Sequence, residues 1–400
     1  MPILNPDKIY YLYSDDIKDE LIQVHTSKMV QGFGGISLRF RNFSELPVYY
    51  LEFNSAKSLN KFKLNSFINF EILNKIINKD IFLVLNNSYE SFHDVVDSIY
   101  TNIVIEQHIP ESQIILCSES SDIFDKILSV SKIYNKELIK AEWLRQGEYD
   151  IQKCSKLIRN QNVNILQTKE YDKKFLCLNR RWRPHRVTLV ALLKDFNLID
   201  KGFVSLGEAD DNKNWSNIWD EIIELSKHYA IIKNSLDKNK ESLINSPSLY
   251  VDTTDLKTNR VALEPKLIKY YKDSYFSVIT ETNFYTGTAP HLNNQSGRLL
   301  SEKIFKPILC GHPFIVVSVP NFLEKLKEIG YKTFSPYINE FYDTVLDDNE
   351  RLYCILLEIE RLCNLNQDQL TYFLNGVKEI TKHNQSVLIS KKIFHNKFYE

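Results

Sequence analysis

The stretch FLCLNRRWRPHRVTLVALLKDFNLIDKGFVSL, residues 175–206, reads as strand, helix and strand in succession. FLCLN (175–179) is a short apolar run that ends in a polar, basic turn, which suits a buried strand better than a helix. Pro184 fits the first turn of a following helix over 184–196, where its missing N–H costs nothing. GFVSL (202–206) is again short and apolar. Two such strands joined through a helix form the unit of a mostly parallel sheet covered on its faces by helices.

The same rhythm extends in both directions. Upstream, strands are expected at 8–14, 47–53, 81–86 and 113–119, with helices at 66–79, 91–107 and 121–134. The pattern weakens between Ile139 and Asp172. Downstream come a long helix from Trp215 to about Leu236, strands at 248–253, 275–281 and 313–319, helices at 300–310 and 321–329, and a long helical stretch over 348–382. Four hundred residues exceed one ordinary core. The expectation is therefore an α/β protein of two Rossmann-like domains, one over 1–168 and one over 169–382, with a tail over 383–400. Two such halves with a terminal helix long enough to cross back describe the GT-B arrangement, in which residues after the strands of both halves face a common cleft.

Composition narrows the classes. Hydrophobic residues make up 43% and charged residues 25%, with a formal net charge of −1, so no general attraction to nucleic acid or an anionic membrane is expected. No run approaches the ~20 apolar residues of a membrane span, and the first residues lack the cationic lead and apolar core of a signal peptide. Six cysteines without a CxxC pair or zinc spacing read as reduced thiols in a cytoplasmic protein. Glycine-rich phosphate loops are missing. Any phosphate must be held by side chains and helix ends.

Two places offer such ends. Arg180, Arg181, Arg183 and Arg186 stand where the strand 175–179 gives way to a helix, and guanidinium forks at a helix N-terminus match phosphate oxygens. A solvated basic turn, or a nucleic-acid patch with Trp182 stacking on a base, would use the same residues. The second place is SEKIFKPILCGHPFIVVSVP (301–320). Ser301 is a natural N-cap, and Lys303 lies in the first helical turn, where a cation opposes the helix dipole unless an anion is near. Glu302 either stabilises the helix start or accepts hydroxyl hydrogen bonds. Pro307 falls inside the helix and should remove a hydrogen bond there.

The stretch ITETNF followed by SEKIFKPILCGHPFIVVS resembles the donor-binding signature of the α1,3-fucosyltransferase family: a strand ending in a Glu-Asn-Ser-like turn, a (Ser/Thr)-Glu-Lys helix start and a proline-led strand. The segment 175–207 is similar to that family's preceding element. Together they cover about a quarter of the chain. The resemblance implies that Arg186 and Lys303 hold the diphosphate of a nucleotide sugar, that Glu302 contacts ribose, and that Glu281 and Asn283 border the sugar pocket. This chain departs from the family at Glu281-Thr282-Asn283, where an extra threonine enters, and at the longer loop before Ser301.

Glycosyl transfer to a hydroxyl needs a base and positive charge for the departing diphosphate. Arg183, Arg186 and Lys303 can supply the charge, and with no Asp-x-Asp in the chain neither metal nor other cofactor is expected. The base should follow a strand of the first half; Glu90, after the polar turn of Asn86, Asn87 and Ser88, is preferred over Asp15, Asp16, His93 and Glu119. The expected function is a metal-independent, inverting glycosyltransferase using a nucleoside-diphosphate sugar and a glycan or other hydroxyl acceptor. Transfer to modified bases of DNA, and a non-catalytic nucleotide-sugar-binding or scaffold protein, are the alternatives.

Overall fold

The computed structural model describes residues 22–23, 48–53, 70–87, 95–156, 171, 173–207, 215–245, 249, 251, 263–286 and 297–390. Chain contacts divide it into two units. One comprises Met1–Gln146 with Asn294–Leu300 and Lys392–Glu400, the other Gly147–Asn293 with Ser301–Lys391. The boundary expected near residue 168, like the strand expected at 8–14, lies outside the described residues.

In the first unit, β1 (Ile22–Gln23), β2 (Val48–Phe53), β3 (Phe82–Asn87), β4 (Ile114–Ser118) and β5 (Lys140–Trp143) form a sheet in that order. β1 runs antiparallel to β2, and every other pair is parallel. β4 is buried along its whole length, as a central parallel strand with both faces covered must be. Helices α1 (Phe70–Ile77), α2 (Val96–Ile99), its π-helical continuation Tyr100–Ile105, and α3 (Ile123–Tyr134) supply the other side of the core. Ile76, Ile99, Ile103, Ile127 and Val130 pack with Leu83, Leu85, Ile114 and Leu116 of the strands. Strand β5 and helix α4 (Gln146–Lys153), which from Gly147 onward belongs to the second unit, occupy a region where the sequence pattern is weak. β5 contains Lys140 and Glu142, an edge strand without an apolar run to announce it.

The second unit carries a fully parallel sheet of β6 (Phe175–Asn179), β7 (Gly202–Leu206), β8 (Phe276–Thr280) and β9 (Phe314–Val317), in the order β7-β6-β8-β9. The opening stretch behaves as read: β6 leads through the basic turn into α5 (Pro184–Asp195) and back to β7. α5 is buried from Pro184 to Leu193. It packs among α6 (Trp215–Ser226), α7 (Ala230–Asn245) and later helices. The helix expected from Trp215 to about Leu236 is thus two helices. Ser226 turns its hydroxyl back onto the Ile222 carbonyl at 2.6 Å, and the chain restarts at Ala230 to bury Ile232, Leu236 and Leu243. Of the strand expected at 248–253, Leu249 makes an isolated antiparallel bridge to Leu206.

The remaining helices are α8 (Ile268–Lys272), α9 (Glu302–Cys310), α10 (Phe322–Glu328), α11 (Asp348–Cys363) and α12 (Gln367–Ser390). The helical stretch expected over 348–382 breaks at Asn366, whose side chain and that of Gln369 exchange hydrogen bonds with each other's backbone N–H at 2.9 and 3.0 Å. α12 then runs through residue 383, where a tail was expected, to Ser390. Tertiary contacts hold it there: Asn384 bonds both backbone groups of Lys332 at 2.8 Å, and Gln385 donates to the Leu309 carbonyl at 2.9 Å.

Among the described residues no helix is long and apolar enough to cross a membrane. The six cysteines are free thiols.

Candidate functional site

The strand order β7-β6-β8-β9 contains a reversal. From β6 the chain moves one way to β7, then crosses to β8 on the other side of β6. The two loops leaving β6 and β8 therefore part in opposite directions, and the crevice between them is where open parallel sheets bind ligands. Asn179 ends β6 and Thr280 ends β8, and the Thr280 hydroxyl donates to Asn179 Oδ1 at 2.6 Å across that point. The next residues on the two strands are the basic turn 180–186 and the segment beginning with Glu281.

Glu281 is 0% exposed. Its carboxylate accepts the Ser301 hydroxyl at 2.6 Å and the Ser301 backbone N–H at 3.4 Å. The Lys303 ammonium is 3.5 Å from the same carboxylate and donates to Thr282 Oγ1 at 3.2 Å and Ser301 Oγ at 3.0 Å. Burial raises the Glu281 carboxyl above the ordinary range, with Lys303 and Ser301 pulling the other way. Ser301 caps α9 as its sequence suggested, accepting from the Lys303 N–H at 3.3 Å. Glu302 lies half-buried in the first turn. Burial pushes its carboxyl up, but the ammonium charges of Lys303 and Lys306 and the helix-start N–H hold it below its usual value.

From the β6 side, Arg186 reaches the same segment. It is 5% exposed; Nη2 donates to the carbonyls of Thr280 at 3.1 Å and Glu281 at 3.2 Å, and Nη1 to that of Arg181 at 3.2 Å. Its buried Nε has no hydrogen-bond partner among the described residues. Burial, then the charge of Arg183, lowers its pKa to about 10, so it stays a cation near neutrality. Arg183 is the extended N-cap of α5 and is half-buried. The His185 ring lies 3.0 Å from the Glu281 carbonyl through Nε2; a carbonyl only accepts, so Nε2 carries the proton. Burial and the neighbouring Arg186 hold that imidazole neutral, well below its normal range. Asn283 is buried, and its carbonyl accepts from Ser318 at 3.3 Å.

The structure thus brings Arg183, Arg186, Glu281, Asn283, Ser301, Glu302 and Lys303 to one end of one sheet within the second unit. Glu90, like Asp15, Asp16 and His93, lies outside the described residues. Glu119 is buried after β4, and its carbonyl accepts the Trp143 indole N–H at 3.0 Å. Trp182 is buried too, its indole N–H bonded to the Gly207 carbonyl, so its ring is not presented for stacking on a base.

Two neighbours were not legible. Thr282, the threonine that interrupts the expected turn, is a direct partner of Lys303. Gly147 lies on the start of α9: a Cβ there would stand 2.7 Å from the Ser301 carbonyl carbon and closer still to the Glu302 nitrogen. Among the described residues no group of three or more His, Cys, Asp or Glu is placed to hold a metal. No protein-family model matches the chain, and no curated protein matches it.

The arrangement gathers two guanidinium groups, one ammonium and a helix N-terminus at one sheet end, with the buried Glu281 carboxylate holding Ser301 and Lys303.

Proposed function

We propose that the protein is a glycosyltransferase of GT-B architecture that moves a sugar from a nucleoside-diphosphate donor to an acceptor hydroxyl, with inversion and without a metal. The observation that carries this reading is the convergence of Arg186, with a buried N–H left over, and Lys303, on the first turn of α9, at the reversal point of a parallel sheet. On this reading Lys303, Arg183 and Arg186 with the α9 N-terminus neutralise the diphosphate, Glu302 accepts ribose hydroxyls, and Glu281 and Asn283 border the sugar. Ser301 and Glu281 hold Lys303 in place before the donor arrives, which is worth more to a developing charge than a group that must reorganise.

In the transfer step the acceptor oxygen forms a bond to the anomeric carbon as the bond to the β-phosphate oxygen breaks. The acceptor proton passes to a carboxylate of the first unit, proposed to be Glu90, and the leaving oxygen's charge is taken up at the α9 start. The first unit would bind the acceptor, in a cytoplasmic enzyme. Arg186→Ala combined with Lys303→Ala should abolish nucleotide binding, read by calorimetry with GDP, UDP, ADP, TDP and CMP. Unchanged affinity would sink the assignment. Binding without donor hydrolysis or transfer to any acceptor would reduce the protein to a nucleotide-sugar receptor.

A further inference from the structure

The chain leaving β8 is also gripped from the opposite end, by a buried arginine of α11 whose five N–H donors are all taken. Arg351 is 1% exposed. Its Nε donates to the Ser318 carbonyl at 3.0 Å, Nη1 to those of Val345 at 2.9 Å and Leu346 at 3.3 Å, and Nη2 to the Phe284 carbonyl and Asp348 Oδ1, both at 2.6 Å. The guanidinium carbon lies 4.4 Å from the centroid of the Phe284 ring, and that ring stacks on His185 with centroids 5.3 Å apart. Asp348 in turn accepts the Thr286 N–H at 3.2 Å and its hydroxyl at 3.1 Å. Residues 281–286 are therefore a strap. Arg186 and His185 hold its beginning, and Arg351 and Asp348 hold its end.

Stability alone does not call for such a group, because apolar side chains of similar volume commonly replace buried ion pairs at little cost. Directed donors supply geometry instead. Arg351 fixes the ends of β8 and β9 and the lead into α11 in one arrangement, using a five-donor fork that lysine cannot reproduce.

We propose that Arg351 and Asp348 are positioning residues for the α9 start: by fixing residues 281–286 they set where Glu281 and Thr282 hold the Lys303 ammonium, and so the affinity for a phosphate-bearing ligand. The second half of this statement rests on the function proposed above; the first half does not.

The experiment compares the full-length protein with Asp348→Asn, Thr286→Val and Arg351→Lys. Two of these changes lie at exposed or half-exposed positions, so a folding defect in the arginine variant leaves the test intact. The ligand-free readout is the rate at which an amine-acylating reagent labels Lys303, whose side chain is 28% exposed, relative to Lys306 one turn further along α9. The expected result is a rise of about fivefold in the Lys303:Lys306 ratio in each variant, the equivalent of one hydrogen bond lost. An unchanged ratio, or both lysines rising together as the melting temperature falls, overturns the proposal. The second readout is the affinity for whichever of GDP or UDP binds the unaltered protein more tightly, expected to fall about tenfold, as for a bond to a charged group. A raised labelling ratio with unaltered affinity also overturns it. If the unaltered protein binds neither nucleotide, the failure belongs to the proposed function, and the labelling ratio still decides whether the strap positions Lys303.

Discussion

His312 shows how one buried side chain sets a pH response. The His312 Nε2 lies 2.9 Å from the Ser274 carbonyl and its Nδ1 2.8 Å from the Ser277 hydroxyl. The carbonyl requires a proton on Nε2, so Nδ1 accepts from Ser277 and the ring is neutral. Burial depresses its pKa from 6.5 to about 4. The unfolded chain therefore binds a proton that the folded chain refuses, and stability present above pH 6.5 is lost as pH falls toward 4. For a fully buried group the loss is up to about 3 kcal/mol. Melting curves of the protein and His312→Gln from pH 7 to about pH 4 should converge by roughly that amount; parallel curves would show that the ring does not titrate as argued. Which carbonyl His312 and His185 each bind was not legible in the sequence, because Ser274 and Glu281 lie far from them in the chain and meet them only through the fold.

At the scale of elements, the start of α9 depends on a neighbour that no local pattern could reveal. Gly147 sits at the beginning of α4, and its missing Cβ is what lets that helix meet the backbone of residues 301 and 302. Gly147→Ala is expected to force the two apart, costing on the order of 2 kcal/mol as overpacking does and loosening the Lys303 anchor. Thermal melting together with hydrogen exchange at the amides of residues 301–304 would check this; an unshifted melting temperature would show that the approach has slack. Gly311 was a plainer signal. It closes α9 in the left-handed region at φ 67°, a conformation other residues adopt only under strain. Pro307 is accommodated inside α9, and nothing in the structure explains why it is there. At the start of α3, Asp122 stands at the N-cap, yet its carboxylate accepts the Arg298 N–H at 3.1 Å and makes no cap bond to the helix. A distant segment outcompetes the local cap.

For the whole molecule, the prediction concerns metal. Cationic side chains and a helix end surround the β6–β8 crevice, so nucleotide binding should survive EDTA. A nucleoside diphosphate at a hundred times its dissociation constant stabilises by about 2.7 kcal/mol, a shift of about 5–11 °C for a unit of this size at roughly 2–4 °C per kcal/mol. A shift for one of GDP, UDP or ADP that persists in EDTA would support the metal-independent reading and select the donor's base; a shift lost with EDTA would overturn it.

The sequence by itself determined the alternation of short apolar strands and helices, the parallel character of the sheets, and the presence of two basic helix starts after strands. These are local consequences of burial periodicity and helix-end chemistry, and they are written within a few residues of each other. What only the tertiary structure decided was which strand ends become neighbours. The reversal in the order β7-β6-β8-β9 places Arg186 against the Glu281 carbonyl, buries Glu281 beside Lys303 and lets Arg351 hold the far end of the strap. Those partners are separated by tens of residues, and their pairing follows from how parallel strands are ordered in a sheet, a choice that strand and helix propensities leave open.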